Sequence, residues 1–143
     1  METIKNLLLK DSKNCNDLGL LLFRAVVSLA LFYGHGMGKL SKIFAGQEIQ
    51  FMDPLGIGAS LSFYMAAFAE GICALFLLMG LLSRFASLIL VGNFLVIFFF
   101  HAFLQNEGFD GLELIYLYLV PFIALTLTGA GKYSLDHYLL KAS

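Results

Sequence analysis

Four apolar stretches, each near the length of a membrane-spanning helix, constrain this sequence more than any other feature. They cover residues 18–37, 61–82, 85–104 and 112–128. A helix of about 20 apolar residues crosses the roughly 30 Å of hydrocarbon in a bilayer. The composition agrees, because 59% of the 143 residues are hydrophobic and 13% are charged, against about 25% charged in soluble domains. We therefore predict an all-α bundle of four transmembrane helices in contact with the lipid bilayer.

The links between these stretches differ in length and character. Only Ser83 and Arg84 separate the second stretch from the third, so these two helices must form an antiparallel hairpin. The first link, residues 38–60, is much longer and mixes apolar with polar side chains. This mixture predicts an interfacial or re-entrant segment, with an ordinary loop as the alternative. The chain therefore divides into a polar tail, a transmembrane domain and an amphipathic tail, at residues 1–17, 18–129 and 130–143.

The distribution of lysine and arginine predicts the orientation of the bundle, because basic residues are enriched on the cytoplasmic side of membrane proteins. One side of the bundle carries Lys5, Lys10, Lys13, Arg84, Lys132 and Lys141. The other side carries only Lys39 and Lys42, which we interpret as interfacial anchors. We therefore predict a multi-pass protein of the inner (plasma) membrane, with both termini cytoplasmic and the first link facing outward. The net charge of −1 provides no basic surface for nucleic acid.

An arginine inside the first apolar stretch requires a partner, since a charged side chain near the bilayer centre costs about 2.5–3.5 kcal/mol on insertion scales. With a helical rise of about 1.5 Å per residue, Glu70 in the second stretch and Asn93 in the third fall at a depth similar to that of Arg24. We predict a midplane binding layer in which Arg24 pairs with Glu70 and Asn93 lies nearby. An ion pair that only fixes helix register is the alternative.

A second polar layer is predicted at the outward ends of the helices. His35 closes the first stretch, His101 closes the third and Glu113 opens the fourth. Histidine exchanges protons near neutral pH, so these three residues are candidate catalytic groups, and Tyr33 and Tyr116 are predicted to line the same binding region. Two histidines and a carboxylate can also hold a transition metal ion. That alternative is weaker, because the three ligands come from separate helices and show no spacing signature.

Short motifs along most of the chain resemble those of the DoxX family. They are LLFR at residues 21–24, YGHGMGKL at 33–40, DPLGIG at 53–58, AEGICALFLLMGLLSRFAS at 69–87, FFFHAF at 98–103, GLEL at 111–114 and GAGKYSLD at 129–136. The resemblance implies a small four-helix bacterial membrane protein whose recurrent polar positions match Arg24, His35, Glu70, Arg84, His101 and Glu113. Members similar to this chain are described as membrane subunits of oxidoreductase systems, including a thiosulfate–quinone oxidoreductase, and in resistance to quinone or thiol stress. The polar, cysteine-bearing N-terminal tail departs from the family pattern.

The sequence supports three hypotheses about function. The first is a subunit or accessory of a membrane oxidoreductase system with a quinone-type pocket, in which His35 and His101 donate or relay protons and a soluble or membrane redox partner takes part. The second is a metal-binding membrane protein. The third is a non-enzymatic scaffold or small-molecule carrier, for which association into a homo-oligomer compensates for the small number of helices. Cys15 and Cys73 form no CxxC motif, which argues against thiol redox chemistry within this chain.

Overall fold

The computed structural model describes residues 13–142, and every regular element within them is a helix. The helices are α1 (Lys13–Phe44), α2 (Ala59–Met79), α3 (Ser83–Leu104), α4 (Phe109–Thr128) and α5 (Leu135–Ala142). By length and composition the first four can cross a membrane. The predicted all-α bundle of four transmembrane helices is therefore confirmed, and contact with a lipid bilayer follows from it. The orientation of the bundle in that bilayer stays a prediction.

Helix α1 is longer at both ends than the sequence predicted. It begins at Lys13 and ends at Phe44, whereas the prediction covered residues 18–37. Its last eight residues, MGKLSKIF, continue the helix, because their lysines lie on exposed or half-exposed positions while Leu40 packs against α2. The second residue of the remaining link, residues 45–58, is Gly46, whose positive φ of 61° is a common way to end a helix. Lys5 and Lys10 of the predicted polar tail lie outside the described residues.

Helices α2 and α3 form the predicted hairpin, but through a turn at residues 80–82; Ser83 and Arg84, predicted as the link, begin α3 instead. Gly80 and Leu82 both adopt positive φ, of 72° and 47°, and so reverse the chain within three residues. The carboxylate of Asp136, in α5, accepts hydrogen bonds from the backbone N–H of Leu82 at 2.7 Å and of Ser83 at 2.9 Å. The exposed N–H groups of the first turn of α3 are therefore capped from 53 residues away in the sequence.

The core lies where the four long helices meet. It includes the fully buried side chains of Leu31, Leu77, Leu90, Phe122 and Leu125, which come from all four helices. Within a bilayer, close packing holds such helices together, because lipid tails are as apolar as leucine. We call the two ends of the bundle the terminal end, with residues 80–83 and 129–134, and the loop end, with residues 45–58 and 105–108.

Three of the four long helices contain one turn of π-helix. These turns are Phe32–Gly36 in α1, Phe68–Cys73 in α2 and Phe100–Leu104 in α3. Each of them contains one of the ionisable residues that the sequence singled out, namely His35, Glu70 and His101. A π-turn within an α-helix often marks a functional site, so these segments are where a site is to be sought.

Candidate functional site

A buried carboxylate stands at the centre of the candidate site. Glu70, in the π-turn of α2, is 3% exposed. Its Oε2 accepts a hydrogen bond from Lys39 Nζ at 2.5 Å, and its Oε1 accepts one from Asn93 Nδ2 at 3.0 Å. We call Lys39, Glu70 and Asn93 the Glu70 cluster. Both carboxylate oxygens have a donor and the negative charge has a positive partner, which is the arrangement that a buried charge requires.

Two glycines bring α1 close enough to α2 for this contact to form. A Cβ atom at Gly36 would collide with the backbone carbonyl oxygen of Glu70, and a Cβ at Gly71 would meet the side chain of Leu40. Small residues at such positions let two membrane helices approach closely. Lys39 lies one helical turn beyond Gly36 on the same side of α1. Its side chain therefore reaches the carboxylate, a role that the prediction of an interfacial anchor missed.

The first link also contacts the Glu70 cluster. Lys39 Nζ lies 5.9 Å from the centre of the Phe51 ring, within the range of a cation–π interaction. The Phe51 ring in turn packs edge-on against Phe63 of α2, with 5.4 Å between ring centres. The predicted outward link is therefore attached to the bundle next to the cluster.

An apolar cavity of about 310 Å³ lies beside the cluster. Its walls come from α2, α3 and the first link, and its polar side chains are Ser62 and Asn93. A second, shallower hollow of about 420 Å³ shares Leu55 and Phe100 with the cavity and continues along α3 to Leu104 at the loop end. Asn93 connects the cavity to the cluster, because its side-chain amide donates a hydrogen bond to Glu70 and the residue also lines the cavity.

Asp53 fixes the wall that the first link contributes. Its carboxylate accepts hydrogen bonds from the backbone N–H of Ile57 at 3.0 Å and of Gly58 at 2.7 Å, and from Ser62 Oγ at 2.9 Å. These bonds stabilise the charged form, and the bond from Gly58 contributes most to the lowered pKa of Asp53. Because Ser62 lies in the first turn of α2 and lines the cavity, Asp53 connects the link to the cavity wall.

The prediction that Arg24 pairs with Glu70 is wrong. Arg24 is 1% exposed, but its guanidinium donates to the carbonyl oxygen of Ala130 at 2.5 Å and to that of Tyr133 at 2.9 Å. It therefore holds the segment after α4 at the terminal end of the bundle. The midplane layer fails because α1 continues to Phe44, which places Glu70 opposite Gly36 rather than opposite Arg24. Asn93 does lie next to Glu70, as the sequence predicted.

The residues predicted for the outward layer have separate surroundings. His35 is half-buried and packs edge-on against Tyr118, with 6.0 Å between ring centres. His101 Nδ1 lies 3.0 Å from Glu107 Oε2, whereas Glu113 is exposed on α4. Within residues 13–142 no three His, Cys, Asp or Glu side chains form a group that could hold a metal ion. The donor set of the metal-site alternative is therefore not assembled.

The two tyrosines predicted to line that layer lie on the outside of the bundle. Tyr33 is 64% exposed and Tyr116 is 37% exposed. Tyr116 packs against the rings of Phe98 and Phe109, with 5.6 and 6.1 Å between ring centres. Neither tyrosine lines the two hollows described above.

Comparison with known proteins adds the family. Neither the curated proteins nor the solved structures include a match to this chain. The family model for DoxX matches residues 19–102, which is more than half of the chain. This range contains the Glu70 cluster and every residue that lines the cavity. On this match, the chain belongs to the DoxX family.

Proposed function

We propose that this membrane protein binds a lipid-soluble, quinone-type molecule in the cavity beside the Glu70 cluster, as a component of an oxidoreductase system of the inner membrane. The observation that carries the proposal is the position of Asn93. Its amide lies in the wall of an apolar cavity and is hydrogen-bonded to a buried ion pair. Ligand pockets are mostly apolar, with a few placed polar groups that orient the ligand.

The size and chemistry of the cavity support a flat, mostly apolar ligand with carbonyl groups. Its volume of about 310 Å³ lies at the lower end of the range of roughly 300–1,000 Å³ for ligand pockets. The amide of Asn93 has two N–H donors, and Glu70 takes one of them. The second N–H is available to a carbonyl oxygen in the cavity. The ion pair of Lys39 with Glu70 holds a proton next to that position.

This proposal moves the donor role away from the histidines. Neither His35 nor His101 lines the cavity, whereas Asn93 does, so we assign hydrogen bonding to Asn93. Lys39 and Glu70 lie behind the cavity wall and are connected to it through the hydrogen bond of Asn93 to Glu70, so we assign proton storage to them. On the family resemblance, we propose that a soluble or membrane redox partner supplies or accepts the electrons. Association into a homo-oligomer stays a prediction.

A cavity-filling variant tests the binding site directly. Gly92 lines the cavity, and a Cβ atom there has no heavy atom within 4 Å. Gly92→Leu should therefore fold and occupy part of the cavity. Gly38→Leu is the matched control, because Gly38 is also helical, exposed and free of neighbours within 4 Å.

The assay is photolabelling in nanodiscs with an azido-substituted benzoquinone that carries a decyl tail, mapped by peptide mass spectrometry. We expect label on peptides from α2, α3 and the first link, competed by unlabelled decylubiquinone. Gly92→Leu should weaken this competition by about tenfold or more, a change of about 1.4 kcal/mol or more, and Gly38→Leu should leave it unchanged. Label elsewhere in the chain, or an equal response of the two variants, would refute the proposal.

The cavity also suits a carrier that binds the same molecule without reacting with it. Adding the purified protein to membranes that contain a quinone-reducing dehydrogenase separates the two functions. A component of an oxidoreductase system should change the rate of quinone reduction, and Asn93→Leu should abolish that change. A carrier should bind the labelled quinone and leave the rate unaltered.

A further inference from the structure

A groove at the terminal end of the bundle lies outside the site described above. It has a volume of about 800 Å³ and runs between the first turn of α3, the turn that follows α4, and α5. Its rim is apolar and open, with Leu82, Phe85 and Leu140 exposed by 54%, 56% and 78%. Because the membrane-spanning segments of α2, α3 and α4 begin or end here, we expect the groove to open at the level of the lipid headgroups.

Arg84 provides the positive charge of this groove. Its guanidinium packs over Gly129 and makes one long hydrogen bond, 3.4 Å from Nη2 to the carbonyl oxygen of Leu127. A guanidinium has five N–H donors, so most of them stay available. Within residues 13–142 the side-chain ion pairs are Lys39 with Glu70 and His101 with Glu107, so Arg84 has no carboxylate partner in that part of the chain.

The one carboxylate in the groove is already engaged. Asp136 accepts the two backbone hydrogen bonds from the start of α3 and interacts electrostatically with the buried Arg24. Arg24 offsets the charge of Asp136, and Asp17 at the same end accepts a hydrogen bond from the backbone N–H of Lys132, so the charge of Arg84 is left without a carboxylate partner among residues 13–142. The wall also contains Ser83, which is 1% exposed and whose Oγ has no hydrogen-bond partner among the described residues.

We propose that this groove binds the phosphate headgroup of an anionic phospholipid. Arg84 donates two parallel hydrogen bonds to the phosphate oxygens, the geometry that makes arginine suited to phosphate. The hydroxyl of Ser83 donates to the same group, and Phe85 and Leu140 contact the first carbons of the acyl chains. A bilayer next to the transmembrane helices supplies this ligand. The alternative is that Arg84 only caps the C-terminal carbonyls of α4. That role accounts for its one long hydrogen bond to Leu127, but not for its other N–H donors.

Lipid binding to the purified chain in mild detergent tests the proposal. Native mass spectrometry gives the apparent affinity for phosphatidylglycerol and for phosphatidylcholine. The buffer contains enough salt to screen solvated charges beyond roughly 6 Å, so that attraction to distant surface charges contributes little. Arg84→Gln should weaken phosphatidylglycerol binding by about tenfold or more, as expected for lost hydrogen bonds to a charged group. Lys132→Gln is the control, because Lys132 is an exposed cation at the same end that lies over the Tyr133 ring, outside the groove.

Each outcome decides the question. Selective loss of phosphatidylglycerol in Arg84→Gln, with Lys132→Gln within about twofold of wild type, supports a headgroup site, since a solvated charge is screened. Equal losses in the two variants, or equal affinity for both lipids, overturn it in favour of general surface attraction. Displacement by inorganic phosphate alone at the same concentration overturns it in favour of a free anion. If Arg84→Gln loses helical circular dichroism, Arg84→Lys decides, because it keeps the charge and must still weaken binding by about threefold through loss of the bidentate contact.

Discussion

Removing the positive partner of Glu70 should destabilise the protein strongly. In Lys39→Met the carboxylate of Glu70, 3% exposed, keeps its hydrogen bond from Asn93 and loses the ammonium group 2.5 Å away. Two opposite charges about 4 Å apart attract by roughly 4 kcal/mol at an effective dielectric constant near 20, and breaking buried pairs costs about 3–5 kcal/mol. Since Lys39 is 16% exposed and water screens part of this attraction, we expect a loss of about 2–4 kcal/mol.

The assay is reversible unfolding in mixed detergent micelles, followed by far-ultraviolet circular dichroism. Lys42→Met is the matched control, because Lys42 lies three residues further along α1 and is exposed. It should change the free energy of unfolding by less than about 0.5 kcal/mol. The double variant Lys39→Met/Glu70→Gln removes both charges and should recover most of the loss, as neutral replacements of buried ion pairs do. Equal effects of Lys39→Met and Lys42→Met, or no recovery in the double variant, would refute the assignment of a buried ion pair.

Three further predictions concern residues that support the bundle. Gly36→Ala places a methyl group against the α2 backbone and should lower the free energy of unfolding by about 1–3 kcal/mol. Gly34→Ala, with open space around its Cβ, should raise the free energy of unfolding by about 0.5–1 kcal/mol. Equal changes in the two variants would contradict the close approach of α1 to α2 at Gly36. Because the pKa of Asp53 is lowered, its stabilisation exists above the unfolded value of about 3.9 and disappears as the pH falls through the folded value. Wild type should therefore be more thermally stable than Asp53→Asn at neutral pH, and this difference should disappear in acid. A difference that does not change with pH would contradict the stabilising role of the Asp53 carboxylate. Arg24→Met leaves the carbonyls of Ala130 and Tyr133 without their donor, so trypsin should cleave after Lys132 faster than in wild type when peptides are followed by mass spectrometry. An unchanged rate would show that Arg24 does not hold the segment after α4.

The helices could be predicted from the sequence because apolar length is a local property. A run of about 20 apolar residues is recognisable without knowledge of its neighbours, and a link of only two or three residues between two such helices permits no arrangement but a hairpin. The end of α1 was predicted too early because the glycine and the two lysines of MGKLSKIF suggest an interface. In the fold, Gly36 serves close packing and Lys39 reaches inward to Glu70.

The partner of Arg24 could not be predicted, because it is not a side chain. The guanidinium binds backbone carbonyls at residues 130 and 133, more than 100 positions away. Every residue has a carbonyl, so residue types give no signal, and only the path of the chain after α4 creates the acceptor site. The cavity escaped prediction for a related reason, since its walls depend on how the first link folds back over α2 and α3.

The contacts of residues 130–136 have a consequence for biosynthesis. A membrane protein enters the bilayer from its N-terminus as the ribosome makes it, so α1 inserts before the carbonyls that bind Arg24 exist. The same delay applies to α3, because the backbone N–H groups at its start have no cap until Asp136 has been made. Until residues 130–133 have been made, the guanidinium of Arg24 lacks the acceptors that it binds in the finished fold. Residues 130–136 therefore complete the packing of the bundle after its four long helices have formed, because they contain both the acceptors of Arg24 and the cap of α3.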